Sequence, residues 1–487
     1  MRLHRLAVAI AFLGALPIRA ELLTLGGGAK AVPGLYIVID EDEKGLKGFA
    51  AVHGEIVREL RLTNFPSGWV MKLSPGIAES LGREGYSVTP EFSFELPPEP
   101  LKSAEGPSAP WPLDRDDQRM LPLDGFYRYT YTGKNVRAYV LDSAIYKNAD
   151  FGNRLDPGAD FVGDGAGPNS SCGEVVTHGT LVADILGGET YGVAKGVTVV
   201  PVRVYGCNST FAGSYFLQAL DWILSDSKRH TGSRAVVNMS FGSKGTATLL
   251  DSYFKKLDAA GIVLVDAAGN YGDNACLYGP AGSTYTVTAG STGAEDTRAS
   301  FSNYGKCVDL FAPSENAPGF GGTGTQVSYG SGTSLAAPQV AGHIAELWEQ
   351  FPDANPALVK KLLLANATPG ILAANSLGSG SPNLLLYTGA FQEAPTRFIP
   401  RWFPAELRFT LQLAVGVPNG GVTPSDSVHL FRGTERNGAC QGQPFGTAHL
   451  TGGSTTVTIK GWKNAPASVC VETSLGAVFD HAIERGK

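Results

Sequence analysis

Short apolar segments alternate with longer amphipathic ones between residues 136 and 289, and this alternation limits the possible folds more than any other feature. The strand-like apolar segments are 136–142, 197–205, 235–240, 261–267 and 285–289. Strands that alternate with helices predict an α/β fold with a mainly parallel sheet flanked by helices on both faces. Sites in such sheets form at the carboxyl ends of the strands, where Asp142, Ser240 and Asn270 lie.

A small, Gly-rich turn places Ser334 at the start of a further helix. Residues 335–348 repeat apolar side chains at helical spacing. The free N–H groups and the positive dipole end at a helix N-terminus favour a developing oxyanion, so Ser334 occupies a suitable place for a nucleophile. A serine there is far more often an N-cap than a catalyst, so this segment alone is only suggestive.

Three other residues make the hypothesis specific. Asp142 ends the first strand, His178 opens a helix-like segment, and Asn270 follows the strand at 261–267. Taken singly, Asp142 and His178 would be better explained as a buried ion pair, and Asn270 as a turn residue. The order Asp142, His178, Asn270 and Ser334, each in its own motif, resembles the subtilisin-like serine proteases, in particular the secreted proteinase K-like group. The resemblance spans roughly residues 108–391.

The resemblance implies a chemical role for each of these four residues. A serine hydroxyl is too weakly acidic to attack an amide unaided, so His178 would take the Ser334 proton and later deliver it to the leaving amine. Asp142 would orient the imidazole and stabilise the imidazolium, and Asn270 would donate a hydrogen bond to the oxyanion. The expected activity is that of a serine endopeptidase that forms an acyl-enzyme.

The resemblance also predicts where a polypeptide substrate would bind. One wall of the primary pocket would be the backbone of Ser240, Phe241 and Gly242, which pairs with the peptide as an added strand. The opposite edge would include Ser209 and Thr210. Small residues at 267–269 favour a roomy apolar pocket, so an apolar or aromatic residue before the scissile bond is expected.

Three positions depart from the family pattern. Ala144, Asp184 and Ser243 stand where subtilases usually have glycine. An alanine is costly where the backbone angle requires glycine. None of the three is a triad residue, so we expect effects on rate and specificity rather than on the class of reaction.

The remaining segments predict a secreted precursor. Residues 1–20 have a basic start and a short apolar core, which is typical of a signal peptide. Residues 21–107 resemble the family's propeptide, an intramolecular inhibitor and folding aid, with a cleavable linker at their end. The catalytic domain would be 108–391, and residues 392–487 alternate at strand period, which predicts a small β-sandwich-like domain.

Disulfides and calcium complete the expectations. Six cysteines in an exported chain argue for disulfides, although six allow fifteen pairings. The resemblance favours Cys172 with Cys207 and Cys276 with Cys307, which leaves Cys440 with Cys470. It also implies a structural Ca²⁺ on Asp309 and the carbonyls of Thr284 and Thr286, although a lone aspartate after a strand is more often a turn residue. No organic cofactor is expected.

Charge and composition argue against other partners. The net charge is -6, which gives no electrostatic case for nucleic acid or an anionic membrane. No segment after the signal peptide predicts a membrane span, and a monomer is expected. An alternative hypothesis is a catalytically silent subtilase fold that retains its propeptide after one self-cleavage and binds a partner. An α/β-hydrolase esterase lacks support because the chain has no Gly-x-Ser-x-Gly segment.

Overall fold

The chain forms a central α/β unit with a smaller α+β unit before it and β-strands after it. The computed structural model describes residues 30–41, 54–95, 109–170, 178–207, 210–245, 248–321 and 327–389, and the backbone of the strands between 399 and 485. Among the described residues, no helix has the length and apolar character needed to cross a membrane.

A nine-stranded sheet is the centre of the α/β unit, and its strand order is β17-β18-β14-β13-β11-β9-β5-β7-β6. All neighbours in the sheet are parallel except the edge pair β17 and β18. The predicted mainly parallel sheet is therefore confirmed. The strands are β5 (Val136–Asp142), β6 (Ala159–Asp160), β7 (Thr198–Arg203), β9 (Arg234–Met239), β11 (Ile262–Ala267), β13 (Thr286–Thr292), β14 (Leu310–Pro313), β17 (Thr368–Pro369) and β18 (Leu384–Leu385).

Helices cover both faces of this sheet, and each face has its own apolar core. Branched aliphatic side chains alternate sides along the strands, so Val263 and Val265 pack into one core and Leu264 into the other. The first face is covered by α3 (His178–Gly187), α6 (Thr333–Gln350) and α7 (Pro356–Asn366), and the second by α4 (Gly213–Arg229) and α5 (Thr248–Ala259).

Shorter elements complete the unit at the edge where the strands end. They are α2 (Trp111–Asp116), β8 (Thr210–Ala212), β10 (Ser243–Lys244), β12 (Tyr278–Gly279), β15 (Ala317–Phe320) and β16 (Val327–Gly330). β15 and β16 form an antiparallel hairpin that leads into α6, and β10 pairs with β12. The first turn of α6 therefore lies directly after a hairpin, as the Gly-rich sequence indicated.

The N-terminal unit is an antiparallel sheet with one helix. It contains β1 (Lys30–Ile39), β2 (Glu55–Leu60), β3 (Gly68–Lys72), α1 (Pro75–Arg83) and β4 (Ser87–Glu95), and the sheet order is β2-β3-β1-β4-β8. One face packs on α1, whereas apolar side chains of the other face, including Ile37 and Phe92, join the core beneath α4 and α5. Because β8 belongs to the α/β unit, the two units share one sheet.

The C-terminal strands form two four-stranded sheets, β25-β20-β19-β28 and β24-β21-β26-β27. Nearly all pairings are antiparallel, and β19 with β28 is the exception. The strands are β19 (Ile399–Phe403), β20 (Glu406–Gln412), β21 (Ser427–Arg432), β22 (Glu435–Arg436), β23 (Ala439–Cys440), β24 (Gly446–His449), β25 (Ser454–Lys460), β26 (Ser468–Thr473), β27 (Val478–Ala482) and β28 (Glu484–Arg485).

Candidate active site

Asp142 and His178 form a buried hydrogen-bonded pair where β5 ends and α3 begins. His178 Nδ1 lies 2.8 Å from Asp142 Oδ1 and 2.9 Å from Oδ2. The Gly179 N–H donates to Ser143 Oγ at 2.9 Å, and a Cβ on Gly179 would lie only 2.5 Å from the Ser143 carbonyl oxygen. Glycine at 179 therefore allows the start of the helix to approach the end of the strand closely enough for the pair to form.

Ser334 lies in the first turn of α6 and is held by Ser240. Ser334 Oγ donates to the Ser240 carbonyl at 3.1 Å, and Ser240 Oγ donates to the Ser334 carbonyl at 2.8 Å. Pro338 lies four residues after Ser334 and has no N–H, so the usual helical bond to the Ser334 carbonyl cannot form. The Ser240 hydroxyl supplies the missing donor, a role that the sequence did not predict.

Asn270 is oriented by the residue that precedes Ser334. Its Oδ1 accepts hydrogen bonds from the Thr333 N–H and the Thr333 hydroxyl, both at 2.8 Å. The Gly269 N–H in turn donates to Thr333 Oγ1 at 3.0 Å. Since Oδ1 is occupied and no described residue accepts from Nδ2, the Asn270 amide N–H groups remain available to a ligand.

Asn303 supports the same loop, and no sequence signal identified it. Its Oδ1 accepts from the N–H groups of Tyr271 and Asp273, and its Nδ2 donates to the Ala268 carbonyl at 2.8 Å. Gly269 has a φ of +100°, and a Cβ there would lie 2.4 Å from Asn303 Nδ2. The loop therefore requires glycine at 269 for both its backbone angle and this close approach.

The predicted substrate residues have different positions. Ser240 and Gly242 lie beside the site, and Gly242 faces Gly279, whose carbonyl oxygen would be 3.4 Å from a Cβ on Gly242. The Phe241 ring is buried against Tyr205 and Phe216, which leaves only its backbone for a substrate. Ser209 lies outside the described residues.

Thr210 belongs to β8, and this edge strand is paired with the end of the N-terminal unit. Thr210 pairs with Glu95, and Ala212 pairs with Ser93, in antiparallel register. The backbone that would bind an extended substrate on this side is therefore covered by β4. β4 thus extends the sheet at this edge by strand addition.

The predicted calcium residues offer a limited set of oxygen ligands. Asp309 Oδ2 accepts the Thr288 N–H at 2.7 Å, and no described residue donates to Oδ1. Burial raises the pKa of Asp309, an effect that the nearby Lys360 opposes. Thr284 and Thr286 flank Tyr285, whose carbonyl accepts from Lys360 Nζ at 3.0 Å. A carboxylate and two carbonyls suit Ca²⁺, with water completing the coordination.

One predicted disulfide is present among the described residues. Cys276 and Cys307 are bonded, with an S–S distance of 2.10 Å and 31 residues of sequence separation. Cys207 is also disulfide-bonded. Its predicted partner Cys172 lies outside the described residues, as do the side chains of Cys440 and Cys470, so these two pairings stay predictions.

The departures from the family pattern differ in their structural consequences. Ala144 is buried and has no positive φ, so the backbone cost expected for alanine at this position is absent. Ser243 lies in β10 opposite Gly279. Asp184 is fully buried in α3, on the helix that begins with His178, and makes contacts of its own that are described below.

Comparison with known proteins agrees with this geometry. A model of the Subtilase family matches residues 133–386, and the chain belongs to this family. It is 33% identical over 414 residues to "Subtilisin-like protease 2" of Trichophyton equinum, covering 78% of this chain and 94% of that protein. The predicted membership in the subtilases is confirmed.

Two bacterial relatives and one solved structure are also similar. An "Extracellular serine proteinase" of a Thermus species is 45% identical over 282 residues, covering 58% of this chain and 66% of that protein. "Alkaline serine exoprotease A" of Vibrio alginolyticus is 37% identical over 325 residues, covering 66% of this chain and 58% of that protein. The crystal structure of a cold-adapted subtilisin-like serine proteinase has a TM-score of 0.53 and 37% identity, and covers 58% of this chain and 99% of that one. The matches thus span just under two thirds of the length of the Thermus proteinase and a smaller share of the Vibrio exoprotease.

Proposed function

We propose that this protein is a secreted serine endopeptidase that hydrolyses peptide bonds through Asp142, His178 and Ser334. The observation that carries the proposal is the hydrogen bond between His178 Nδ1 and the buried Asp142 carboxylate, 2.8 Å long. It fixes the imidazole tautomer so that Nε2 can accept a proton. Relatives named as proteinases, one of them extracellular, support the proposed class of reaction and the proposed secretion.

The reaction would begin when Ser334 Oγ passes its proton to His178 instead of donating to the Ser240 carbonyl. Oγ attacks the scissile carbonyl carbon, and the oxyanion forms next to the Ser334 N–H in the first turn of α6. His178 then protonates the leaving amine, which leaves an acyl-enzyme on Ser334. Water activated by His178 hydrolyses this ester and restores the serine.

Asn270 would stabilise the oxyanion through Nδ2. Its other amide atom, Oδ1, accepts two hydrogen bonds from Thr333, so the amide is oriented before substrate binds. Donors that are already in place cost no reorganisation when the charge develops. The substrate backbone would add to the edge that includes Ser240 and Gly242, as an additional strand.

The N-terminal unit would act as a propeptide that inhibits the enzyme. Support comes from the pairing of β4 with β8, which occupies a strand edge that a substrate would need. Glu91 accepts from the N–H of Ser214 at 3.2 Å and from its hydroxyl at 2.8 Å, at the start of α4, and Arg58 donates to the same hydroxyl. Asp221 of α4 accepts from the N–H groups of Thr63 and Asn64. These contacts hold the unit on the catalytic domain.

A structural calcium ion would be held by Asp309 and the carbonyls of Thr284 and Thr286. A bound cation that contacts only the folded state raises stability by mass action. Excess EGTA should therefore lower the Tm of the wild-type chain and leave an Asp309→Asn variant unchanged. An equal decrease in the Tm of both chains would show that any bound calcium lies at another site.

The test of the proposed activity uses intact mass, N-terminal sequencing and casein digestion. Wild type should lose the segment before about residue 108 and digest casein, and a serine-directed phosphonyl reagent should stop digestion. Ser334→Ala should remain uncut and inactive. Ser331→Ala is the matched control, since within the described part of the chain the one hydrogen bond of its hydroxyl is accepted from the Asn316 N–H, and it should behave as wild type.

Two other outcomes would overturn the proposal. A wild-type chain that is cut once but never digests casein would be a silent binding protein that retains its propeptide. A Ser334→Ala chain that is processed and active as wild type would exclude Ser334 as the nucleophile.

A further inference from the structure

Asp184 joins the helix of His178 to the hairpin that leads to Ser334. It lies in α3, six residues after His178, and its side chain is completely buried. Asp184 Oδ2 accepts the backbone N–H of Phe320 in β15 at 2.7 Å. No described residue donates to Asp184 Oδ1. A buried carboxylate oxygen without a donor is costly, so the state of Oδ1 needs a physical explanation.

A second carboxyl group lies next to this oxygen. A Cβ on Gly188 would be 2.5 Å from Asp184 Oδ1 and 2.4 Å from Asp150 Oδ2, so both oxygens lie against the bare glycine, and the two side chains are within hydrogen-bonding reach of each other. Asp150 Oδ1 and Oδ2 accept hydrogen bonds from the Thr190 hydroxyl and N–H, respectively. Two ionised carboxylates at this range would repel each other strongly.

We propose that Asp184 carries a proton on Oδ1 and donates it to Asp150 Oδ2, and that this shared proton holds the His178 helix in its active position. Oδ2 cannot carry the proton because it accepts from Phe320. Asp150 is the acceptor because both of its carboxylate oxygens already accept hydrogen bonds from Thr190. Asp184 is then a positioning residue, since it reaches the reacting atoms only through α3 and the hairpin.

The electrostatic surroundings agree with a protonated Asp184. Burial first, and then the Asp150 charge, raise the pKa of Asp184 well above its ordinary value, while Lys195 opposes the rise. Arg154 and Tyr191 are the other titratable groups that interact with Asp184. The helix α6 and strand β5 pack on α3 through apolar side chains, and β15 contributes the Phe320 N–H.

The pH dependence of stability follows from the raised pKa of Asp184. A carboxyl group with a raised pKa in the folded state stabilises that state fully below its unfolded pKa, and this contribution is lost as pH rises through the folded pKa. Loss of the proton leaves two facing carboxylates between α3 and its neighbours. The protein should therefore lose stability as pH rises from the ordinary carboxyl pKa through the raised pKa of folded Asp184, and the consequence for catalysis rests on the proposed function.

Asp184→Asn is the main test because the amide keeps both contacts without a titratable proton. Its oxygen can accept from Phe320 and its N–H can donate to Asp150. Tm is measured from pH 5 to 10 in Ser334→Ala chains, which cannot digest themselves, and kcat/KM is measured in the active chains. Asp184→Asn should match wild type at the acid end and retain its Tm and kcat/KM as pH rises, whereas wild-type kcat/KM should fall by about tenfold per pH unit above the folded pKa of Asp184.

Two further variants complete the design. Glu189→Gln is the control, because Glu189 is in the same turn but its side chain is 68% exposed, and it should follow wild type. Asp150→Asn removes the facing charge that raises the pKa of Asp184, so the loss of stability with rising pH should be smaller and complete at lower pH than in wild type, which keeps the test valid if Asp184→Asn fails to fold. Identical alkaline profiles for wild type and both pair variants would refute the shared proton.

Two other results have separate meanings. If added CaCl2 protects wild type but not Asp184→Asn at alkaline pH, the pair binds a cation and the shared proton is wrong. If the Tm profiles differ as expected while no chain cleaves peptides, the carboxyl pair stands and the proposed activity fails.

Discussion

Replacing Ser240 by alanine tests the structural basis of the nucleophile's position. The substitution removes the only hydroxyl that donates to the Ser334 carbonyl among the described residues, and Pro338 has no N–H to take its place. It also removes the acceptor of Asn238 Nδ2, which lies 2.9 Å from Ser240 Oγ. Each buried polar group left without a partner costs about 1–3 kcal/mol, so the loss of both contacts in Ser240→Ala should lower the free energy of unfolding by about 2–6 kcal/mol.

Each kcal/mol corresponds to a Tm decrease of about 2–4 °C in a domain of roughly this length, so the Tm should fall by at least about 4 °C. Calorimetry in the Ser334→Ala background avoids self-digestion. Ser243→Ala is the matched control, because Ser243 is also buried but its hydroxyl makes no hydrogen bond in the described part of the chain, and its Tm should change by about 1 °C or less.

The second substitution, Pro338→Ala, makes the test specific for the Ser334 carbonyl. An alanine at 338 has the N–H that a helix uses to bond the carbonyl four residues earlier. Ser240→Ala should therefore cost about 1 kcal/mol less in the Pro338→Ala chain than in the Pro338 chain. Equal costs in the two chains would refute the idea that the Ser240 hydroxyl replaces the helical hydrogen bond.

Three further predictions follow from the same contacts. Asn270→Ala should lower kcat by about 10²–10³-fold with a much smaller change in KM, measured on a chromogenic peptide; a change confined to KM would exclude an oxyanion role. Burial raises the pKa of Glu91 in the inhibited form. Inhibition by added propeptide should therefore be strongest below the pKa of the free carboxyl group and should weaken as pH rises through the pKa of the bound form. Glu91→Gln should flatten this pH dependence, and a steeper pH dependence in the variant would contradict the prediction. Replacing Cys276 and Cys307 by serine should lower the free energy of unfolding by about 3 kcal/mol, measured in denaturant, because the bond closes a loop of 31 residues; an unchanged midpoint would show that the bond adds no stability.

The positions of the four candidate residues could be predicted because they depend on local patterns. Strand-like and helix-like segments are visible in the sequence, and parallel strands bring their carboxyl ends to one edge. Asp142 ends β5, Asn270 follows β11 by three residues, and Ser334 lies in the first turn of α6, as the patterns indicated. Strand order was not needed for this prediction, since all carboxyl ends meet at the same edge.

The supporting contacts could not be predicted because they join residues far apart in the chain. Ser240 and Ser334 are 94 residues apart, and Asn270 and Thr333 are 63 apart. Asn303 lies in a loop without a distinctive pattern. The sequence identified Asp184 as a departure from the family, but the Asp150 side chain that faces it lies in another segment, and only the packing of α3 brings the two together.

These supports share one physical cause. The candidate residues lie at the ends of helices and strands, where backbone groups lack their regular partners, so neighbouring side chains must supply the missing hydrogen bonds. Ser240 does this for Ser334, Thr333 for Gly269, and Ser143 for Gly179. A substitution at such a support should therefore reduce stability and rate together. Asn270 has both roles, because its Oδ1 accepts hydrogen bonds from the buried Thr333 N–H and hydroxyl while its Nδ2 is available to a ligand, so Asn270→Ala should lower stability as well as kcat.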